Sequence, residues 1–293
     1  MVSRMRKCRF EKVVLIGQGV IGRSLVRYIS SLEDQYGYKL ECVIHENIDH
    51  NLMLKECVAS GNNYVCIEDK RKITEFLLKL KMEKVIVISG FNNYWFPSCV
   101  TTVDNFMIIN YHNSYLPRYQ GGNAITWAIF NEEKYTGSTW HYVTDKTDAG
   151  DIIWQSKFEI HENAKAYEIS KKSMEIAYEG FMKFFPEILI QEVKGKKQIY
   201  PDGKREMHYF SEFPLNGSFG LDLPVETIYR LLRSMDYGKI GGWRKTTVVL
   251  PDGQTSEVKS YRLVSGTIHN NKKIENNTIC INYDDKHYLK ICL

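Results

Sequence analysis

Short apolar runs alternate with stretches of helical spacing through the first two thirds of the chain. Lys12–Gly17, Lys39–Ile44, Tyr64–Ile67, Lys84–Ser89 and Phe106–Asn110 are rich in Val, Ile and Leu, the pattern of strands buried on both faces. Between them Ile21, Leu25, Ile29 and Leu32 recur at helical intervals, a short helix is expected around Leu54, and Ile73–Leu80 reads as another. This alternation predicts an α/β, Rossmann-like fold: a mostly parallel sheet with helices on both faces. Further on, Asn123–Phe130 is helical in pattern, and Thr136–Val143 and Asp151–Ile160 are β-like. A long helix is expected from about Ala164 to Phe185, where Pro186 should kink or end it.

After about Lys197 the pattern changes. One helix, Val225–Met235, is followed by strands near Thr246–Leu250, Val258–Val264, Thr278–Tyr283 and Tyr288–Leu293, punctuated by turns such as Pro251-Asp-Gly253. Short strands and tight turns predict a small β-rich, OB-like barrel or sandwich. The expected division is therefore a catalytic domain over residues 1–203 and a C-terminal β-rich domain over 204–293.

Composition narrows the class. At 43% hydrophobic and 25% charged, the 293 residues suit a soluble globular enzyme. The formal charge of +4 permits an anionic small substrate but supplies no concentrated basic stripe for nucleic acid. Seven scattered cysteines without a CxxC pair fit a reducing cytoplasm, not a disulfide framework or a zinc or other metal site. No apolar run is long enough to span a bilayer, and no secretory h-region follows the basic start, so a cytoplasmic location is expected.

Two motifs carry candidate chemistry. Gly17-x-Gly19-x-x-Gly22 follows the first strand, as in a dinucleotide fingerprint, but the acidic residue that should close the second strand is matched only loosely by Glu46. The motif therefore reads either as an NAD(P)-binding turn of an oxidoreductase or as a tight turn whose Gly19 touches a substrate phosphate. The second motif begins at Asn110 and His112, which lie on one side of an extended chain at a strand end. An amide N–H and an imidazole N–H aimed together suit stabilisation of an oxyanion. A carboxylate such as Asp148 can favour the charged imidazole or accept a proton through water. These groups suit acyl transfer to an amine without a covalent intermediate. Ser114 reads as a loop hydrogen-bond donor.

The whole pattern resembles the folate-dependent formyltransferase family. Its members carry an Asn-x-His pair, a Ser-Leu-Leu-Pro segment, a glycine a few residues on, and Asp-x-Gly after the next β segment. Here these are Asn110 and His112, Ser114-Tyr115-Leu116-Pro117, Gly121, and Asp148-Ala149-Gly150. The resemblance implies N10-formyltetrahydrofolate as co-substrate. It implies that Asn110 and His112 stabilise the tetrahedral intermediate and that Asp148 supports His112 and proton transfer. It places the folate along Ser89, Gly90, Phe91, Asn93 and Trp95 and along the loop that includes Asp145 and Gly150.

The acceptor amine is less constrained. Tyr115 stands where the family usually has leucine, and Gly122-Asn123 lies where many members carry a proline; both alter the wall that faces the acceptor. The segment His45–Asn51 is not the basic insertion of the tRNA enzymes, which disfavours initiator methionyl-tRNA. A small nucleotide-linked (dTDP-type) amino sugar is the leading expectation, as in methionyl-tRNA formyltransferase-like sugar-nucleotide enzymes. An amino-acid or peptide amine is the alternative. Gly19, Ser114, Tyr115, Arg118, Gly122 and Asn123 are the candidate substrate-binding residues, and the chain leaves room for a homodimer.

Overall fold

The computed structural model describes residues 7–45, 50–200, 203–238 and 244–293. Its backbone contacts divide it into two units: Met1–Gly121, Gly137–Phe158 and Lys172–Met207 in the first, and Gly122–Thr136, Glu159–Lys171 and His208–Leu293 in the second. The chain therefore changes unit several times, where the sequence suggested a single cut after residue 203.

The first unit opens with β1 (Lys12–Gly17), α1 (Gly19–Ser30), α2 (Glu33–Tyr36), β2 (Lys39–Ile44), α3 (Leu52–Ser60), β3 (Tyr64–Cys66), α4 (Lys70–Lys79), β4 (Val85–Gly90), α5 (Ser98–Thr101) and β5 (Phe106–His112). After β6 (Gln120–Gly121) and α6 (Ala124–Phe130) come β7 (Tyr135–Tyr142), β8 (Ile152–Glu159) and α7 (Ala166–Ile190). The central sheet has seven strands in the order β3-β2-β1-β4-β5-β7-β8, with β1 to β5 parallel and β7 antiparallel to β5. All six residues of β4 are buried, as a strand covered on both faces requires.

Two departures from the sequence pattern have clear physical causes. The long helix does not end at Pro186 but continues to Ile190. Proline in a helix interior removes the bond to the carbonyl four residues back and costs about 3 kcal/mol. That carbonyl, of Met182, accepts the Tyr28 hydroxyl at 3.1 Å, which returns about 1 kcal/mol. Phe181, Phe184, Phe185, Ile188 and Leu189 are buried on both sides of the proline, each worth roughly 1.5–3 kcal/mol. Burial wins, and the helix carries on. The second departure is that β5 runs two residues past its expected end at Asn110, to His112, because both residues pair in the ladder with β7.

His45 follows β2 directly; it is buried, and its Nε2 has no hydrogen-bond partner among the described residues. Burial, with the Lys70 charge adding to it, pushes its pKa down to about 4. An unfolded histidine titrates near ~6.5. The folded value lies below the unfolded one, so stability is complete above the unfolded pKa and declines as pH falls towards the folded one. Thermal melts from about pH 7 to about pH 4 should therefore fall more steeply for the wild type than for His45→Gln. Parallel slopes would remove His45 from the account.

The second unit holds α6 and continues through β9 (Met207–His208, which straddles its start), β10 (Ser218–Gly220), α8 (Val225–Met235), β11 (Thr247–Val249) and β12 (Thr255–Glu257). It ends with β13 (Ser260–Ser265), β14 (Lys272–Glu275), β15 (Thr278–Asn282) and β16 (His287–Cys292). The strands make a three-stranded sheet, β10-β11-β12, and a four-stranded antiparallel sheet, β13-β16-β15-β14, where the sequence suggested one small barrel or sandwich. Ile279, Ile281, Leu289 and Ile291 alternate inward from the latter and share a core with Ile228, Leu231 and Leu232 of α8.

Candidate active site

The site lies within the first unit, where β5 pairs with β7. Asn110 lies opposite His141 and His112 opposite Thr139 across the antiparallel ladder. Directly opposed residues project to the same face, so two imidazoles and an amide converge. His141 was the group the sequence reading left without a role. The strand pattern over Thr136–Val143 put it on the same alternation as Thr139, but nothing local marked its partner across the ladder.

Asp148 reaches this face from the loop after β7. Its Oδ2 lies 3.3 Å from His112 Nδ1 and accepts the Gly121 N–H at 2.8 Å. Its Oδ1 lies 3.3 Å from His141 Nε2 and 3.4 Å from Asn110 Nδ2. Asn110 Nδ2 is also 3.1 Å from His141 Nε2. Burial by itself would raise the Asp148 pKa, but the neighbouring His112, the bond and charge of His141 and the Gly121 N–H together hold it well below the usual carboxylate range. The carboxylate is therefore charged at neutral pH. The second ring nitrogen of each histidine faces a backbone carbonyl: His112 Nε2 that of Tyr119 at 2.7 Å, and His141 Nδ1 that of Tyr142 at 2.7 Å. A His112 ring with both N–H groups satisfies both of its acceptors.

One short segment serves both catalytic partners. Tyr119 and Gly121 have φ of 54° and 84°, in the left-handed region. These turns aim the Tyr119 carbonyl at His112 and the Gly121 N–H at Asp148, with Gln120 fully buried between them. Gln120 Nε2 donates to the Asp148 backbone carbonyl at 2.8 Å, and Gln198 Nε2 donates to the same oxygen at 2.7 Å. Arg205 Nε donates to Gln120 Oε1 at 2.8 Å, and its Nη2 to the Thr147 carbonyl. Asp148 itself has φ 48°. A left-handed backbone at a non-glycine residue costs roughly 1–3 kcal/mol, which this frame of side-chain bonds offsets. Gln120, Gln198 and Arg205 carry no catalytic chemistry of their own, so nothing in the sequence marked them.

The other expected residues divide. Ser89 is buried and donates to Asn110 Oδ1, while Asn92 Nδ2 donates to Ser89 Oγ at 2.8 Å. A Cβ on Gly90 would lie 2.7 Å from Leu25 Cδ1, and one on Gly150 only 1.8 Å from the Tyr142 carbonyl oxygen, so packing accounts for both glycines. Phe91, at φ 64°, packs against the core, whereas Trp95 is 47% exposed and Asp145 is exposed. The Asn93 carbonyl accepts Lys70 Nζ at 2.8 Å.

Among the substrate candidates, Ser114 is buried and donates to the Arg118 carbonyl at 2.6 Å, a loop role. Tyr115 and Arg118 are exposed. Gly122 and Asn123 fall in the second unit, where the Gly122 N–H donates to His208 O at 2.7 Å and Asn123 Nδ2 to the carbonyls of Phe210 and Glu212. Both are engaged in holding that unit together.

The glycine-rich turn is resolved in the same way. A Cβ on Gly17 would lie 2.5 Å from the Gly90 carbonyl oxygen, and one on Gly22 would lie 3.2 Å from the Met53 sulfur. Two of the three glycines thus answer to packing between neighbouring elements. Gly19, at φ 67°, has nothing among the described residues within 4 Å of where a Cβ would lie. Glu46, the loose acidic match, lies outside the described residues.

Residues 57–185 match the family model described as "Formyl transferase". A methionyl-tRNA formyltransferase of Clostridium tetani is 31% identical over 132 residues, 45% of this chain and 42% of the relative. The chain thus spans about two fifths of that relative's length. Among solved structures, WlaRD, a sugar 3N-formyl transferase with dTDP and 5-N-formyl-THF, superposes with a TM-score of 0.67 over 99% of this chain and 98% of its own, at 17% identity. An N-formyltransferase of Helicobacter canadensis, in complex with folinic acid and dTDP-3-aminofucose, gives 0.66 over 97% and 99%, also at 17% identity. The chain thus carries a formyl transferase domain match over residues 57–185, within a fold that it shares with solved N-formyltransferases.

Proposed function

We propose that the protein transfers the formyl group of N10-formyltetrahydrofolate to the amine of a nucleotide-linked amino sugar. The observation that carries this reading is the ionised Asp148 carboxylate ringed by Gly121 N, His112 Nδ1, His141 Nε2 and Asn110 Nδ2. The amine nitrogen attacks the formyl carbon, and negative charge develops on the formyl oxygen. The bond from Asn110 Nδ2 to Asp148 Oδ1 is long, at 3.4 Å. A developing oxyanion is a stronger acceptor and can recruit that N–H. Collapse of the tetrahedral adduct breaks the bond to N10, which leaves as tetrahydrofolate and takes up one proton. The amine loses one proton, for which the Asp148 and His112 pair is the nearest relay.

The sugar acceptor is supported by likeness to sugar N-formyltransferases along nearly the whole chain. The exposed Arg118 and Tyr115 and the open Gly19 offer a cation, a ring and a free turn for such a ligand. The sequence relative gives a second reading, initiator methionyl-tRNA. Mixing the protein with N10-formyltetrahydrofolate and either a dTDP-linked amino sugar or charged initiator tRNA should release tetrahydrofolate only with the sugar. Release with tRNA alone would move the acceptor to the second reading. No release with any amine, together with tight NADH binding, would overturn the transferase.

A further inference from the structure

The geometry points to Ser89 as a positioning residue, which fixes the sense of the Asn110 amide through a one-way chain of hydrogen bonds. The inference rests on the formyl-transfer reading for its kinetic consequence, but the chain of bonds stands on geometry alone.

The chain starts at a donor whose polarity cannot change. The Tyr94 backbone N–H donates to Asn92 Oδ1 at 2.8 Å. The Asn92 oxygen is thereby assigned, and its Nδ2 is the end that faces Ser89 Oγ at 2.8 Å and the Ile16 carbonyl at 3.3 Å. A carbonyl only accepts, so the Ile16 contact gives the same assignment independently. Ser89 Oγ receives one of these N–H groups, so its single hydroxyl proton is free to donate onward, and it does so to Asn110 Oδ1. The oxygen of Asn110 is then the end turned towards Ser89, and its Nδ2 the end turned towards Asp148 and His141.

Directionality matters because the two ends of an asparagine amide have nearly the same shape and opposite chemistry. Only the N–H₂ end can stabilise an oxyanion. As a substrate oxygen recruits that N–H, the bond to Asp148 weakens, and Ser89 remains as the anchor that holds the amide plane. Ser89 is itself buried at the end of β4, paired in the ladder with Asn110. The anchor is therefore part of the sheet and moves with it. Loss of the hydroxyl would leave Asn110 Oδ1 unsatisfied and the amide free to rotate.

Ser89→Ala should lower kcat by about 10- to 100-fold, the cost of a misplaced catalytic group, with KM for the folate changed by less than about twofold, since no ground-state contact is removed. Ser89→Thr keeps the hydroxyl and should restore most of the rate. A second readout needs no turnover. In protein labelled with ¹⁵N at asparagine, the side-chain N–H₂ pair of Asn110 is assigned by its disappearance in Asn110→Ala. It should be sharp in the wild type and in Ser89→Thr, and broadened in Ser89→Ala. An unchanged N–H₂ pair and unchanged kcat in a folded Ser89→Ala would overturn the proposal. A wild type that turns over no amine while Ser89→Ala still broadens the pair would defeat the activity reading and leave the anchor standing. Should Ser89→Ala not fold, Asn92→Asp serves instead: it keeps the Tyr94 acceptor but removes the donor to Ser89, and an unperturbed Asn110 pair there would sink the chain.

Discussion

Asp148→Asn is expected to lower kcat by about 10³- to 10⁴-fold, the range seen when an acid that orients a catalytic imidazole becomes an amide. Shape is almost conserved by the change, but charge is not. His112 Nδ1 and Gly121 N both address Oδ2, and His141 Nε2 and Asn110 Nδ2 both address Oδ1. An amide must turn its own N–H₂ towards one of these pairs, so donor meets donor on one side. The pH behaviour is a further check. Because the folded Asp148 pKa is depressed, its stabilisation is present above the unfolded value of about 3.9 and is lost as pH falls below it towards the folded one. Acid melts of Asp148→Asn should therefore be flatter below about pH 4 than those of the wild type. Release of tetrahydrofolate measures the kinetic effect, and kcat within about tenfold of the wild type would remove Asp148 from the reaction.

Much of this arrangement was legible before any coordinates. Buried strands announce themselves through runs such as Val13–Ile16 and Ile86–Ile88, because a strand covered on both faces leaves no polar position. Asn110 and His112 stood out as polar groups at the end of such a run and Asp148 through its Asp-x-Gly motif, and the structure brings all three within bonding distance. His141 was harder to see, since its role depends on the register of an antiparallel pair that nothing local declares. Arg205 and Gln198 were invisible for a different reason. They act from 48 to 58 residues away on backbone carbonyls at 147, 148 and 150, and a backbone acceptor leaves no mark in the sequence. Pro186 misled because a local rule met a larger tertiary term. The same contrast explains the C-terminal strands: β15 and β16 alternate clearly, while every residue of β14 is exposed and it therefore shows no apolar face to read.

Gly150→Ala should be nearly as damaging to turnover as losing a catalytic side chain, although Gly150 itself supplies none. The new methyl carbon would sit 1.8 Å from the Tyr142 carbonyl oxygen and 2.7 Å from its carbon. Neither backbone can yield freely. The Tyr142 N–H donates to Asp151 O at 3.0 Å, and the Gly150 carbonyl accepts Gln198 Nε2 at 2.8 Å. The clash must therefore move the loop that ends in Asp148, two residues away, and a shift of about 1 Å at a catalytic group costs roughly 10²-fold in rate. Overpacking of this kind also costs about 1–3 kcal/mol of stability, which lowers Tm by roughly 2–4 °C per kcal/mol in a domain of this size. Gly19→Ala provides the contrast: its methyl group meets nothing among the described residues within 4 Å, and the strain there is the left-handed φ of 67°. That conformation costs an alanine roughly 1–2 kcal/mol, so its stability loss should resemble that of Gly150→Ala while kcat falls far less. Equal losses of kcat in the two variants, measured by tetrahydrofolate release, would mean that the loop around Asp148 is not held by its contact with Tyr142.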